Sequence, residues 1–298
     1  MLPGAIYPIS KTAQPPESSH ALTHATRPVE DKSTAGVTVR LARSPAEIQA
    51  VQQLRYEVFF AELGATSASS VVTDRRDVEA MDDVADHLIV VDERRARINL
   101  GVVGTYRLLR GDARPADRAF YSEGEFNIER LLRSRARLLE LGRSCVLRDY
   151  RQRQVLQRMW RALAEYVAQH RIEVMFGCAS FHGTDPKPFE QELAYLHHYH
   201  LAAEALRPNA MGPGAISTNR CPKDAIETTR VLRRLPPLIR GYLQLGAKIG
   251  LGAYVDTPFN SIDVCVVLPT ADLASKYVRH YERECDVDLQ PGQIRQDA

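Results

Sequence analysis

A carboxylate and a guanidinium stand three residues apart in Glu140-Leu-Gly-Arg143, inside the apolar run 137–147. In a regular strand residues 140 and 142 share one face and 141 and 143 the other. A bulge at Gly142 would re-aim the chain and bring Glu140 and Arg143 into one cleft beside an exposed backbone N–H. That set suits acyl transfer, with the carboxylate holding or deprotonating an amine and the N–H facing a developing oxyanion. Without the bulge, the same residues are an exposed Glu/Arg pair on an edge strand. A second group, Asp82-Asp83-Val-Ala-Asp86-His87, suits a cationic substrate or a divalent metal, and equally a solvated loop. A third, Cys178-Ala-Ser-Phe-His182-Gly-Thr-Asp185, gathers the group types of nucleophilic catalysis. A cysteine at the end of a buried strand is more commonly inert. Of His197, His198 and His200 only the first and last share a helical face, and no acidic partner of metal-ligand type accompanies them, so they read as packing residues.

These groups need elements to hold them. Residues 37–41 alternate as a short strand, and Ser44-Pro45 reads as an N-cap followed by a proline suited to the first helical position. The helix that follows places Arg55 and Phe59 as neighbours on one stripe. Two β-rich runs, 87–92 and 102–109, form an expected hairpin behind an acidic connection, and 137–147 reads as a long strand. Residues 153–169 carry the clearest helical period, with Val155, Met159, Leu163 and Val167 four apart. A buried-type strand is expected at 174–180, a helix over 189–206, a loop over 208–219, a strand at 262–268 and a last helix over 271–284. This order predicts a mixed sheet covered by helices on both sides, an α/β fold of the α+β type.

The 298 residues carry 39 Lys+Arg against 37 Asp+Glu, so the chain is nearly neutral while its segments are not. Residues 130–161 hold ten arginines against Glu140 and Asp149, and 207–248 eight basic residues against two acidic ones. Residues 74–93 hold eight acidic residues against two basic ones. Such separation predicts one anionic and one cationic partner. Few aromatics interleave with the arginines, so no base-stacking surface for nucleic acid is expected. An acidic carrier protein or an anionic membrane surface suits the basic segments. The apolar-basic run 235–245 is either an interfacial segment or a packed amphipathic helix. No P-loop, G-x-G-x-x-G turn, H-E-x-x-H or G-x-S-x-G elbow is present. Five scattered cysteines without a C-x-x-C pair, and a start lacking the pattern of a secretory signal, point to a reducing cytoplasm without a structural zinc site. Residues 1–36, with five prolines and no hydrophobic period, read as a flexible leader, 37–285 as the folded domain and 286–298 as a tail.

Several stretches together resemble the bacterial ornithine lipid N-acyltransferases. They are Leu54-Arg55-Tyr56-Glu57-Val58-Phe59, Asp86-His87-Leu88-Ile89-Val90, Gly104-Thr105-Tyr106-Arg107-Leu108-Leu109, Phe120-Tyr121-Ser122-Glu123, Leu139-Glu140-Leu141-Gly142-Arg143-Ser144-Cys145-Val146 and Met175-Phe176-Gly177-Cys178-Ala179-Ser180-Phe181. Gly183-Thr184-Asp185-Pro186, Leu235-Pro236-Pro237-Leu238-Ile239 and Phe259-Asn260-Ser261-Ile262-Asp263-Val264 extend the match, which runs in order from about residue 38 to 285. That family is similar in turn to the acyl-homoserine-lactone synthases, within the GNAT acyltransferase fold. The resemblance implies a GNAT-like domain that moves a 3-hydroxyacyl group from acyl carrier protein to the α-amine of L-ornithine. It implies no resident cofactor or metal, the acyl-phosphopantetheine on the carrier being a co-substrate. The cysteine pattern and the basic segments themselves point to a cytoplasmic chain able to touch the inner face of an anionic membrane. Carried over by position, the synthase motifs fall on Arg55 and Phe59, on Asp83 and Asp86, on Arg107, and on Glu140 and Arg143, with Cys145 and Val146 offering N–H groups to the oxyanion. One departure concerns the acyl-donor turn: Arg148-Asp-Tyr-Arg-Gln-Arg153 lacks the glycines of a pyrophosphate nest, which fits a carrier-borne donor better than a coenzyme. An acyl-homoserine-lactone-type synthase, a non-catalytic carrier-binding module and a Cys178-dependent thioesterase are the alternatives.

Overall fold

The computed structural model describes residues 36–66 and 71–273. The leader, the tail and all but the start of the expected 271–284 helix lie outside the described residues. The strands in chain order are β1 (Val37–Leu41), β2 (Val71–Thr73), β3 (Arg76–Val78), β4 (Asp86–Asp92), β5 (Val102–Arg110), β6 (Phe126–Asn127), β7 (Leu138–Val146), β8 (Val174–His182), β9 (Asn209–Ala210), β10 (Ala215–Ile216), β11 (Lys248–Ile249), β12 (Ala253–Asp256) and β13 (Ser261–Pro269). The helices are α1 (Pro45–Arg55), α2 (Glu129–Arg133), α3 (Arg153–Gln169), α4 (Glu190–His200), α5 (Thr228–Arg234) and α6 (Pro237–Leu245).

The main sheet runs β1-β4-β5-β7-β8-β13-β12-β10, with β11 also paired to β13. Its pairs are antiparallel except β7 with β8. That parallel pair is short. It joins Leu138 to Val174, Leu139 to Met175 and Glu140 to Phe176, and the strands then separate while β8 stays paired to β13 as far as His182. Gly177 sits at the point of divergence with φ +154°, where a Cβ would lie 2.1 Å from the Leu141 carbonyl oxygen. Only a residue without a side chain lets the two backbones approach so closely before they part.

Alternation along the strands sorts the core into two layers. On one face Leu88, Val90, Tyr106, Leu108, Leu139, Leu141, Ala179, Phe181, Ile262 and Val264 meet α3, α4, α5 and α6 through Met159, Leu163, Leu193, Leu196, Val231 and Ile239. On the other, Ile89, Val91, Val102 and Cys145 lie under α1 through Val51 and Leu54. Leu109, Phe176, Cys265 and Val267 lie there too, under Phe120, Phe126, Ile128 and Leu131.

Some elements depart from expectation. The helix begins as its sequence signals, with Ser44 Oγ accepting from the Glu47 N–H at 3.3 Å, but α1 gives way at Tyr56 to a π-helical run, Tyr56–Glu62. Arg55 itself is fully buried, whereas Phe59, within the π-helical run, is only partly buried. The expected 189–206 helix stops at His200, and Leu201 enters a bridge with Ile249. The 208–219 loop contains the two-residue strands β9 and β10. Leu235-Pro236-Pro237 breaks the basic stretch into α5 and α6 because the proline rings cannot continue the first helix. α6 buries Ile239, Tyr242 and Leu245 in the core, and Tyr242 stacks edge-on against Trp160 with centroids 5.0 Å apart. The apolar face of that segment is thus spent on packing.

Candidate active site

Where β7 and β8 part, a cleft of about 240 Å³ opens, walled by Gly142, Arg143 and Ser144 on one side and Cys178, Ser180 and His182 on the other. Phe59, Tyr121, Phe259, Ser261 and Asp263 close its sides. β5 pairs Arg107 with Gly142 but Thr105 with Cys145, so β7 carries one residue more than its partner there. Arg143 takes up the excess with φ +50°, in the left-handed region that non-glycine residues rarely occupy. The expected bulge therefore exists one position beyond Gly142, and it turns Arg143 into the same cleft as Glu140.

Glu140 is almost completely buried. Its Oε1 accepts from the Ser122 N–H and Oγ, both at 2.8 Å, and its Oε2 from the Tyr121 N–H at 3.1 Å. Burial pushes its carboxyl above the ordinary range, opposed by Arg107 and by these donors. A carboxylate offers about four lone-pair directions, and one on Oε2 remains unused.

Arg143 lies between two aromatic rings, 4.6 Å from the Tyr121 centroid and 4.4 Å from that of Phe259. Its guanidinium and that of Arg107 both bond to the Glu79 carboxylate. Desolvation lowers Arg143 to about 10. Behind this wall Arg55, wholly buried, forks onto Asp82 with two bonds of 2.7 Å and meets Asp77 Oδ2 at 2.9 Å. Gln52 and the Glu79 N–H also bond to Asp82, at 3.0 and 3.1 Å. Three arginines and three acids thus form one nearly dry network, and it holds the bulge from behind.

The far end of the cleft is acidic. Asp263 stands on β13 opposite Ser180, and carboxylate oxygens of Glu125 and Asp263 and the thiol of Cys178 lie within 4.8 Å of one another. Burial and mutual repulsion push Glu125 up to about 9 and Asp263 up to about 6. Tyr121 Oη donates to Asp256 at 3.1 Å beside them.

Glu140, Arg143, Arg107 and Phe59 thus line the cleft, and Arg55 supports it from behind. Other expected site residues do not come together. Asp83 is exposed, and Asp86 lies on the opposite face of the sheet from Arg107, accepting from Tyr166 Oη at 2.6 Å. The acids that do reach the arginines are Asp77, Glu79 and Asp82, and the last two repeat the expected spacing displaced along the acidic run. Cys145 and Val146 are paired to β5 and absent from the cleft lining. Burial beneath α1 pushes the Cys145 thiol up to about 12. The Cys178 thiol is raised as well, chiefly by burial and then by Glu125, and points at Glu125 at 3.3 Å rather than at a base that could ionise it. His197 and His198 are engaged by Thr218 and the Cys221 carbonyl.

Sequence reasoning passed over Glu79, Glu125, Asp256 and Asp263. Asp263 carried a signal, being the one charge in an otherwise apolar strand, where an acid is retained only with a reason. Tyr121 sat in a motif noted for resemblance alone.

Residues 54–161 match the acetyltransferase (GNAT) domain family. The chain is 41% identical over 251 residues to the L-ornithine N(alpha)-acyltransferase of Brucella abortus (strain 2308), covering 83% of this chain and 89% of that protein. It is 42% identical over 249 residues to the enzyme of that name from Rhodobacter capsulatus, covering 83% and 95%. The chain belongs to the L-ornithine N(alpha)-acyltransferase family. It is an acyltransferase with a GNAT fold, and the parting of β7 from β8 is where that fold opens. A third relative, from Agrobacterium fabrum, is 40% identical over 250 residues, covering 83% of this chain and 85% of that one. Among solved structures the acyl-homoserine-lactone synthase LasI aligns with 80% of this chain and 95% of its own at 11% identity and a TM-score of 0.42, a likeness too loose to bear on mechanism.

Proposed function

We propose that this acyltransferase moves a 3-hydroxyacyl group from acyl carrier protein to the α-amine of L-ornithine, giving lyso-ornithine lipid, by direct aminolysis of the thioester. The observation that carries the reading is the cleft itself. An extended phosphopantetheine arm fits between strands that have parted, and a buried carboxylate and two arginines stand beside the point of parting. The neutral amine attacks the thioester carbonyl, the C–S bond breaks as the amide forms, and the proton lost by nitrogen balances the one taken up by the leaving thiolate. Glu140 receives the amine proton through a water on its free Oε2 direction. Arg107 and Arg143 supply a positive field for the acceptor carboxylate and the carbonyl oxygen, and Phe59 closes the apolar side. Beyond Glu140 β7 is no longer paired to β8, and its backbone along Gly142–Ser144, which lines the cleft, would supply the oxyanion donors.

Carrier docking follows from charge. β7 runs from the cleft into the turn Arg148–Tyr150 and on to α3, where Arg148 and Arg153 are exposed, and an acidic carrier surface complements them. The raised Cys178 thiol argues against a thioesterase. The test is mass spectrometry of products from ornithine, lysine and 2,4-diaminobutyrate offered with several 3-hydroxyacyl carriers and the matching coenzyme A thioesters. N-acyl-ornithine formed from the carrier is the expected product. Thiol release without any amine, or no amide with any carrier, would overturn the reading.

A further inference from the structure

We infer that Asp263, with Ser261 beside it and Glu125 behind it, is the subsite that takes the side-chain ammonium of the acceptor amino acid, and so selects a diamino acid over its uncharged isostere. This rests on the proposed ornithine acylation and names the part of the cleft that recognises its substrate.

Two buried polar atoms facing the cleft lack partners. Asp263, 4% exposed, has no hydrogen-bond partner on Oδ1, and Ser261, 5% exposed, has none on Oγ. Both residues line the cavity. They lie two apart on β13, on one face, opposite His182 and Ser180. A buried acceptor left unsatisfied is costly, and such a group at a cavity wall is normally completed by what enters the cavity. Asp263 only accepts, whereas the Ser180 and Ser261 hydroxyls near it can each donate one proton; the acceptor positions left on the buried carboxylate still suit a donor with several protons, and an ammonium offers three.

The charge balance agrees. Among the described residues none of Glu125, Asp256 and Asp263 takes part in an ion pair, whereas Arg107 and Arg143 across the cleft are matched by Glu79, Asp77 and Asp82. Glu125, pushed up to about 9, is protonated near neutral pH, so the charge facing the cleft at this end is that of Asp263, which feels Arg143 only beyond ion-pair distance, and a ligand cation supplies a direct counter-charge. The two ends of the cleft also suit the two ends of the acceptor: arginines toward its carboxylate, and the acids toward a cation several methylenes away.

The experiment compares kcat/KM for ornithine and for norleucine, the isostere with a methyl in place of the terminal ammonium, in wild type, Asp263→Asn and Glu125→Gln, with 3-hydroxyacyl carrier protein as donor and with and without EDTA. Wild type is expected to prefer ornithine by at least 100-fold, as a site built to pair with a polar group rejects the analogue that lacks it. Asp263→Asn should reduce that preference on the order of 100-fold, mainly through the KM for ornithine, and Glu125→Gln about tenfold. A preference within threefold of wild type in both variants would overturn the subsite, as would a wild-type preference that EDTA abolishes, which would give the acids to a metal ion. If Asp263→Asn melts too early to assay, the Glu125→Gln ratio decides alone. Should wild type acylate neither amino acid, the ornithine reading itself fails, an outcome distinct from acylation of both without discrimination.

Discussion

Replacing Glu140 with glutamine separates its two tasks, proton acceptor and anchor of the Tyr121–Gly124 turn. The carboxylate receives two backbone N–H groups and one hydroxyl. A glutamine amide can present its oxygen to Ser122 or to Tyr121 but not to both, so one buried N–H faces an NH2 group whichever way the amide is flipped. That mismatch costs about 1–3 kcal/mol, which for a domain of this size lowers Tm by about 3–10 °C. The loss of the base costs a further 10²–10⁴ in rate, the usual range for general-base catalysis. Ser122→Ala is the matched control. It removes one hydrogen bond to the carboxylate, at about 1.5–3 kcal/mol, but leaves the charge and both backbone donors. Thiol release from 3-hydroxyacyl carrier protein, measured with saturating ornithine alongside thermal melts, should show similar Tm losses for the two variants but a large rate loss only for Glu140→Gln. If Glu140→Gln keeps its rate within threefold, or if Ser122→Ala loses as much, Glu140 is an anchor and the base lies elsewhere.

Arg55→Met leaves Asp77 and Asp82 buried without their fork; breaking such a pair costs about 3–5 kcal/mol, so Tm should fall by roughly 10 °C and Asp82→Asn in the same chain should return part of it, while a fall under 2 °C would contradict the network. Gly177→Ala places a Cβ 2.1 Å from the Leu141 oxygen at φ +154°; strain and overpacking of about 1–3 kcal/mol each should lower Tm and raise the KM for the acyl carrier, and an unchanged melt would show that the strands are free to part further. Glu125 titrates near 9 in the folded chain against an ordinary 4.5, so its contribution to stability is full below about 4.5 and lost as pH rises toward 9. Urea unfolding of wild type against Glu125→Gln at pH 5, 7 and 9 should therefore show the variant gaining relative stability with pH, and parallel curves would refute the shift.

Much of the fold was legible because its signals are local. The four-residue period of α3, the Ser44-Pro45 start of α1 and the β4–β5 hairpin each follow from short stretches. What the sequence concealed depends on partners far away in the chain. The π-helical run Tyr56–Glu62 has no composition of its own, and the Arg55 fork just before it closes on Asp77 and Asp82 from another segment. Choosing Asp82 over Asp83 likewise required knowing which side of the connection faces inward, which residue types and spacing do not encode. Glu140 and Arg143 were legible as a pair because Gly142 announced a break in the strand, yet the residue that takes the strained conformation is Arg143 itself.

That strain points to why so many charges are buried here. An isolated left-handed arginine costs about 1–3 kcal/mol and would relax unless its surroundings over-determined it. Two aromatic rings and the Glu79 carboxylate fix its guanidinium, and Glu79 is itself held against Asp82, which Arg55 and Gln52 hold in turn. Apolar residues of similar volume would give equal or greater stability, so stability does not explain the arrangement. What the ionic lattice adds is direction. It holds the Arg107 and Arg143 guanidinium groups at a fixed angle to the parting of β7 and β8, across from Asp263, which makes no ion pair among the described residues. On the proposed reaction, a substrate with a carboxylate at one end and an ammonium at the other would be oriented by the cleft before any bond is made, with its α-amine on the side where the strands open.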